Sequence, residues 1–165
     1  VLDVVHIDFI NDVSGFNSKE MQKLLKSSKA EAFIMHSLTV PPTNEDVLPK
    51  DEDPFVHLIA WWNKKKIQLT EVGIAEENLT FDPGIGFGKT HEHSVFILKN
   101  LEKLAAIKEP ILIGHSRKSY QKTFSDQVAE KRDLETALVT HDLNKAYVQY
   151  LRVHDVESQK AALRF

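Results

Sequence analysis

The sequence contains no cysteine, which excludes disulfide bonds and thiolate metal sites. It has no excess of positive charge, since the net charge is −3, so we expect no nucleic-acid partner. It also has no apolar run near the roughly 20 residues that a bilayer span needs, and no signal peptide at Val1, so we expect no membrane association. These absences favour a cytoplasmic location.

Glycine is also scarce, and its distribution is informative. The chain has 6 glycines, and Gly84, Gly86 and Gly88 fall within one short segment. The backbone there is expected to adopt positive φ or to approach another group closely. The following Lys89 suggests a phosphate-binding P-loop, but the spacing is wrong because that motif needs glycine where Pro83 stands.

Short β-branched runs alternate with stretches of helical period, a pattern typical of repeated βα units and a parallel sheet. The predicted strands are Ile7–Asn11, Ala32–Met35, Leu79–Asp82, Ile111–Gly114 and Leu151–Val153. Five units do not close a barrel, and (β/α)8 barrels run to about 250 residues. We predict that residues 1–165 form the C-terminal part of one α/β domain, a TIM (β/α)8 barrel whose first three units are absent. An open doubly wound sheet is the alternative.

The helices are predicted from their caps and apolar faces. The first is expected to open at Asn17, and the second to start at Pro54 and end at Gly73. The third should run from about 90 to 107. The fourth should bury Leu134 and Leu138. The segment from 37 to 53 has no period and is predicted to be a surface loop.

Polar residues stand at the C-terminal ends of the predicted strands, where barrel enzymes assemble their sites. They are Asn11, Asp82, Lys118, Arg152 and His154. This placement predicts a single pocket lined by several strands. Asp82 could accept two parallel hydrogen bonds from a ring N–H and an amine. Alternatively, it caps the turn that follows.

Two further segments suggest anion binding. Gly114–Ser119 leads from a strand into a helix, so its N–H groups and the Ser116 hydroxyl could bind a carboxylate. Arg117 fits a functional and a solvated position equally well. Arg152 and His154 alternate on one strand and could together hold a phosphate group. The alternative is an ion pair of Arg152 with Asp155 or Asp82.

Taken in order, these motifs resemble those of dihydropteroate synthase. The motifs include Asp82–Lys89, Ser116–Ser119 and Arg152–Asp155, and with the segments around Asn11 and Met35 they extend over nearly the whole chain. The resemblance implies condensation of 6-hydroxymethyl-7,8-dihydropterin diphosphate with p-aminobenzoate, giving dihydropteroate and diphosphate, with Mg²⁺ as cofactor. Sulfonamides compete with p-aminobenzoate in that family.

The resemblance also implies roles for individual residues. Asn11, Asp82 and Lys118 would hold the pterin, and Met35 and Leu112 would pack on its ring. Arg152 and His154 would hold the diphosphate, and Phe87 and Ser116 would contact p-aminobenzoate. Gly86 and Arg117 complete the predicted substrate contacts. Asp82, Lys118, Arg152 and His154 are the predicted catalytic residues, and no metal ligand is assigned within the chain.

The family pattern further implies small-molecule substrates, a homodimer, and fusion to other folate-pathway domains as an option. The first three βα units of the family have no counterpart, so the isolated 165 residues are expected to be inactive. One alternative is a methyltetrahydrofolate-binding barrel of the corrinoid methyltransferase type, which needs no diphosphate site. The other is a non-catalytic pterin-binding domain.

Overall fold

The computed structural model describes residues 6–28, 30–43 and 45–164. Five strands alternate with five helices along this part of the chain. The strands are β1 (Phe9–Asp12), β2 (Glu31–Met35), β3 (Leu79–Asp82), β4 (Leu112–Ile113) and β5 (Tyr150–Leu151). The helices are α1 (Lys19–Ser27), α2 (Pro54–Glu71), α3 (His91–Lys99), α4 (Asp133–Asp142) and α5 (Val156–Ala162). The protein is therefore of the α/β class.

All strand pairs are parallel, and the strands lie side by side in chain order. β1 pairs with β2 and β2 with β3, while β4 pairs with β5. A parallel bridge between Phe81 and Ile111 joins the two groups. Because the strands are parallel, their C-terminal ends all lie at the same edge of the sheet.

One face of the sheet packs against the helices and forms the apolar core. Strand residues on this face alternate with those on the other; they are Ala32, Ile34, Leu79, Phe81, Ile111 and Ile113. Trp62 of α2 is fully buried against them, with its ring centroid 5.0 Å from that of Phe81. Its indole N–H donates to Glu109 Oε2 at 2.8 Å, so the buried polar atom is satisfied.

The opposite face of the sheet is concave. Phe9 of β1 lies 5.6 Å from Tyr150 of β5, centroid to centroid, and Phe33 of β2 lies 5.2 Å from the same ring. The first and last strands of a flat five-stranded sheet would be about 19 Å apart at the usual 4.7–4.9 Å spacing. The sheet must therefore curve, which brings its two edges towards each other.

The predicted order of strands and helices is confirmed, but several of the predicted first and last residues are wrong. β3 has the predicted bounds, whereas β1 starts at Phe9 instead of Ile7 and β5 ends at Leu151 instead of Val153. α1 is capped by Ser18, whose hydroxyl accepts from the Met21 N–H, and not by Asn17. The third helix ends at Lys99, and a 3-10 helix continues it.

The predicted buried face of the fourth helix is wrong. Leu134 is 70% exposed and Leu138 58% exposed, whereas Thr136 and Thr140 are fully buried. The two threonines replace apolar packing by hydrogen bonds, because Thr136 accepts from the Arg117 N–H and Thr140 contacts His115 Nε2 at 2.9 Å. Hydrophobic periodicity does not detect such a face.

The loop prediction agrees with the described part of the chain, which has no helix or strand between Met35 and Pro54. Within the same described ranges, no helix is both long enough and apolar enough to cross a membrane.

We predict that Leu69→Ala destabilises the protein by about 2–5 kcal/mol, because Leu69 is fully buried in the core and its truncation leaves a cavity. Ile67→Ala on the same helix is the control; its side chain is 56% exposed and the change should stay within about 0.5 kcal/mol. Urea unfolding of the full-length gene product measures both values. Equal losses would contradict this placement of α2.

Candidate functional site

Asp82 is the last residue of β3, and its side chain is buried. Oδ1 accepts a hydrogen bond from the Gly84 N–H at 2.8 Å. Oδ2 has no hydrogen-bond partner, and Arg152 Nη2 lies 3.5 Å from it. Burial raises the pKa of this carboxyl, while the Gly84 N–H and the cations Arg152, Lys89 and Lys118 lower it. Asp82 thus caps the following turn and keeps one oxygen available.

The glycine-rich loop leaves β3 through positions that other residues would not tolerate. Gly84 has φ +66°, and a Cβ there would lie 1.9 Å from the carbonyl oxygen of His36. The Phe87 N–H donates back to the Gly84 carbonyl at 2.9 Å. The close approach predicted from the glycine spacing is therefore an approach to backbone of the protein itself.

Lys118 lies over the ring of Phe87, with its ammonium nitrogen 3.8 Å from the ring centroid. This cation–π contact joins the turn after β4 to the glycine-rich loop. Burial and the neighbouring Arg152 lower the pKa of Lys118 to about 8, against the opposing effect of Asp82. The ammonium is consequently charged at neutral pH and becomes neutral as the pH rises through about 8.

The ends of β4 and β5 are joined by Ser116 and His154. Ser116 Oγ is 2.9 Å from His154 Nδ1 and accepts from the His154 backbone N–H at 3.3 Å. A pocket of about 250 Å³ opens beside this pair. Its lining consists of Phe87, Gly114, Ser116, Lys118, Arg152, Val153 and His154. Five of the predicted site residues therefore share one pocket.

Gly114 explains how Arg152 reaches Asp82. A Cβ at Gly114 would lie 2.8 Å from Arg152 Nη2, so the guanidinium lies directly against the backbone of this strand end. The ion pair with Asp82, one of the alternatives open from the sequence, is present. Half of the Arg152 side chain stays exposed, so it can still meet a ligand from solvent.

The remaining predicted site residues lie at varying distances from this pocket. Met35 and Leu112 are buried, and strand alternation puts both on the concave face with Asp82. Asn11 is the residue before the last of β1, lies on the same face and is exposed. Gly86 is near Lys118, since a Cβ there would lie 3.6 Å from Lys118 Cδ.

Arg117 is not brought into the pocket. Its guanidinium donates two hydrogen bonds of 2.7 Å to Asp133 at the start of α4, and its backbone has a positive φ of +57°. The charge-assisted fork raises the pKa of Arg117 and lowers that of Asp133. The substrate contact predicted for Arg117 stays a prediction without support from this geometry.

A buried polar network supports the turn between β4 and Lys118. His115 contacts Thr140 Oγ1 at 2.9 Å and the Tyr120 hydroxyl at 3.3 Å, and Thr140 donates to Gln159 at 2.5 Å. Burial lowers the pKa of His115 to about 4, so the imidazole is neutral. Such a network fixes the backbone that presents Ser116 and Lys118.

Two residues at the edge of the site, Lys89 and His36, were assigned no role from the sequence. Lys89 is only 5% exposed, and its ammonium nitrogen is 2.9 Å from His36 Nδ1. The sequence signal was present, because Lys89 ends the glycine-rich segment, but it suggested only a phosphate-binding loop.

No group of three or more His, Asp or Glu side chains within the described ranges is arranged to hold a metal ion. A larger groove of about 740 Å³ lies at the starts of α2 and α3, and none of the predicted site residues lines it.

Comparisons with known proteins agree with the motif pattern. The family model described as pterin binding enzyme matches residues 2–154. The chain is 38% identical over 164 residues to a folate synthesis bifunctional protein of Chlamydia trachomatis, covering 98% of this chain and 36% of that protein. It is 30% identical to dihydropteroate synthase type-3 of Escherichia coli, covering 96% of this chain and 61% of that protein.

A solved structure of a dihydropteroate synthase also resembles this chain. The dihydropteroate synthase of Anaplasma phagocytophilum with bound 6-hydroxymethylpterin-monophosphate superposes with a TM-score of 0.88 at 32% identity, covering 96% of this chain and 62% of that one. The chain thus spans between 36% and 62% of the length of these relatives.

We predict that Gly84→Ala destabilises the protein far more than Gly86→Ala. Both positions have positive φ, so both variants lose about 1–2 kcal/mol from left-handed backbone. Only the Gly84 variant also meets a backbone oxygen, that of His36. Thermal unfolding of both variants in the full-length gene product measures the difference, and similar melting temperatures would contradict the close contact.

Proposed function

The chain belongs to the family of pterin-binding enzymes, and from this premise we propose that it supplies the C-terminal five βα units of a dihydropteroate synthase barrel. The proposed reaction joins 6-hydroxymethyl-7,8-dihydropterin diphosphate to p-aminobenzoate and releases diphosphate. The observation that carries the proposal is the unpartnered, buried Oδ2 of Asp82, beside Arg152 and close to a pocket lined by Lys118.

Asp82 is proposed to bind the pterin ring. An ionised carboxylate accepts hydrogen bonds only, and a pterin presents a ring N–H and an amine side by side as donors. Oδ1 already accepts from Gly84, whereas Oδ2 has no hydrogen-bond partner and only the Arg152 guanidinium 3.5 Å away, so a ligand amine could donate to Oδ2. The carboxylate would also stabilise positive charge that spreads into the ring as the C–O bond breaks.

Lys118 and Phe87 are proposed to line the substrate pocket together. The ammonium of Lys118 can donate to a carbonyl oxygen or ring nitrogen of the pterin, and the ring of Phe87 offers a flat apolar surface for p-aminobenzoate. The arylamine is itself a nucleophile, so the site needs no strong general base. Asn11, Met35 and Leu112 would complete the pterin contacts from the concave face.

Arg152 and His154 are proposed to bind the departing diphosphate. Negative charge grows on the leaving group during bond breaking, so a guanidinium beside it stabilises the transition state more than the bound substrate. The Ser116 hydroxyl can donate either to His154 Nδ1 or to the carboxylate of p-aminobenzoate. It therefore lies between the proposed diphosphate site and the proposed p-aminobenzoate site.

The described residues do not fit a Mg²⁺ site. They contain no metal-binding group of three His, Asp or Glu side chains, and the free oxygen of Asp82 faces the cation Arg152. We propose that any Mg²⁺ enters with the diphosphate. No step of the mechanism above depends on it.

The complete protein is proposed to be larger than these 165 residues. The concave face and the parallel strand order suit five of the eight units of a closed barrel, and the bifunctional chlamydial relative supports a fusion to other folate-pathway domains. We also propose that the complete protein forms a homodimer and is cytoplasmic.

We predict that Arg152→Ala weakens binding of the pterin diphosphate by about 10- to 100-fold, because one charge-assisted contact to the diphosphate is lost. Binding of 6-hydroxymethylpterin without diphosphate should change less, through the effect of Arg152 on the pKa of Asp82 alone. Calorimetry on the full-length gene product measures both ligands. Arg164→Ala, an exposed arginine of the C-terminal segment, controls for the loss of one charge.

Equal losses for the two ligands would favour the methyltetrahydrofolate-binding alternative, which has no diphosphate subsite. Absence of any pterin binding by the unmodified protein would overturn the proposal as a whole.

We also predict that pterin affinity declines as the pH rises through about 8. The pKa of Lys118 lies at about 8, below its ordinary value, so the ammonium donor is present below that pH and lost above it. Calorimetric titrations between pH 7 and pH 9 measure the decline. Lys118→Met should bind more weakly at pH 7 and show a smaller decline; an unchanged pH profile would contradict this role of Lys118.

A further inference from the structure

Lys89 places a buried ammonium group at the base of the glycine-rich loop. Its nitrogen donates to the Phe87 carbonyl at 2.9 Å and contacts His36 Nδ1 at 2.9 Å. Both partners are neutral groups, although a buried lysine is normally compensated by a paired charge. Burial lowers the pKa of Lys89 to about 7, and Lys118 contributes in the same direction, whereas Asp82 opposes the shift. The charges of Lys89 and Asp82 therefore interact favourably.

His36 connects Lys89 to Asp82 through the backbone. Burial, with Lys89 and His57, lowers the pKa of His36 to about 2, so its ring is neutral. Because Lys89 donates to Nδ1, the ring proton lies on Nε2. The His36 backbone N–H donates to the Asp82 carbonyl at 2.9 Å, and the His36 carbonyl lies against Gly84. Lys89, His36 and the start of the loop therefore form one connected unit.

We propose that Lys89 is a positioning residue of the pterin pocket, whose ammonium holds the loop at the Phe87 carbonyl and supplies the buried positive charge that keeps Asp82 ionised. This inference rests on the proposed function, in which Asp82 accepts hydrogen bonds from the pterin.

The charge argument compares the three cations that act on Asp82. Arg152, Lys89 and Lys118 all lower its pKa, opposing the larger effect of burial. Arg152 has the largest effect of the three and Lys89 follows it; the Arg152 side chain is 44% exposed, whereas Lys89 is 5% exposed, so water and salt screen the charge of Lys89 less than that of Arg152. Without Lys89, Asp82 would take up its proton at higher pH. A protonated carboxyl presents a donor where two acceptors are needed.

The positional argument concerns Phe87. Its carbonyl is held by Lys89 and its ring lies under Lys118 at 3.8 Å. Loss of the Lys89 ammonium frees that carbonyl and so loosens the ring beneath Lys118. The loss of charge near Asp82 and the loosening of Phe87 both reduce pterin affinity. Only the loss of charge changes the pH dependence of binding.

The test is calorimetric binding of 6-hydroxymethylpterin to the full-length gene product between pH 5 and pH 8. In the unmodified protein, affinity should fall at acidic pH as Asp82 is protonated. Lys89→Met should weaken binding at pH 6 by at least about tenfold. It should also shift this acidic decline to higher pH. A purely structural role would weaken binding without moving the decline.

Lys65→Met is the matched control. Lys65 of α2 is 6% exposed, donates to Asn17 Oδ1, and has a pKa lowered by burial, yet it does not line the pocket. This variant should keep the acidic decline of the unmodified protein. A shift in the control equal to that in Lys89→Met would overturn the inference.

Lys89→Gln is the second variant, because it keeps a donor but no charge and tests the inference if the methionine variant fails to fold. It should show the same shift of the acidic decline. If the unmodified protein binds the pterin and Lys89→Gln binds it with an unchanged pH profile, the inference about Lys89 is wrong while the proposed function stands. If the unmodified protein binds no pterin, the proposed function itself fails.

Discussion

The carboxylate of Asp82 lies out of contact with water at the end of β3, and a buried charge of this kind has to be compensated by its neighbours. One oxygen accepts from the Gly84 N–H, and the guanidinium of Arg152 approaches the other. Each compensating group comes from a different segment of the chain. The position of the glycine-rich loop and that of Arg152 after β5 are therefore both fixed by contacts with this one carboxylate.

The parallel sheet makes this convergence possible. Strands that run in one direction and lie in chain order deliver all their C-terminal ends to one edge, and the curvature of the sheet turns these ends towards a common centre. Glycine is needed where another group approaches the backbone closely, at Gly84 against the His36 carbonyl and at Gly114 against the guanidinium of Arg152. The scarce glycines of the sequence are thus concentrated where the site is most crowded.

The sequence predicted the order of the strands and both ends of β3, because the alternation of apolar and polar residues in Leu79–Asp82 is a local property. It failed where hydrogen bonding replaces apolar packing. Thr136 and Thr140 are buried because polar groups of the turn after β4 face them, and no apolar pattern records that arrangement. The contact of Lys89 with His36 joins residues 53 positions apart, so neither residue reveals the other locally. Arg117 shows the converse failure: its charge and neighbours suggested the pocket, but Asp133 binds it elsewhere.

The three rings of Phe9, Phe33 and Tyr150 have a consequence for how a bound molecule would leave. Each ring stands two residues before a candidate site residue on its own strand, Asn11, Met35 or Arg152, and points to the same side. The rings therefore form an aromatic floor one layer below the strand ends. A molecule bound at the strand ends would have these rings between it and the N-terminal ends of the strands, so it would leave on the side of the loops that follow the strands.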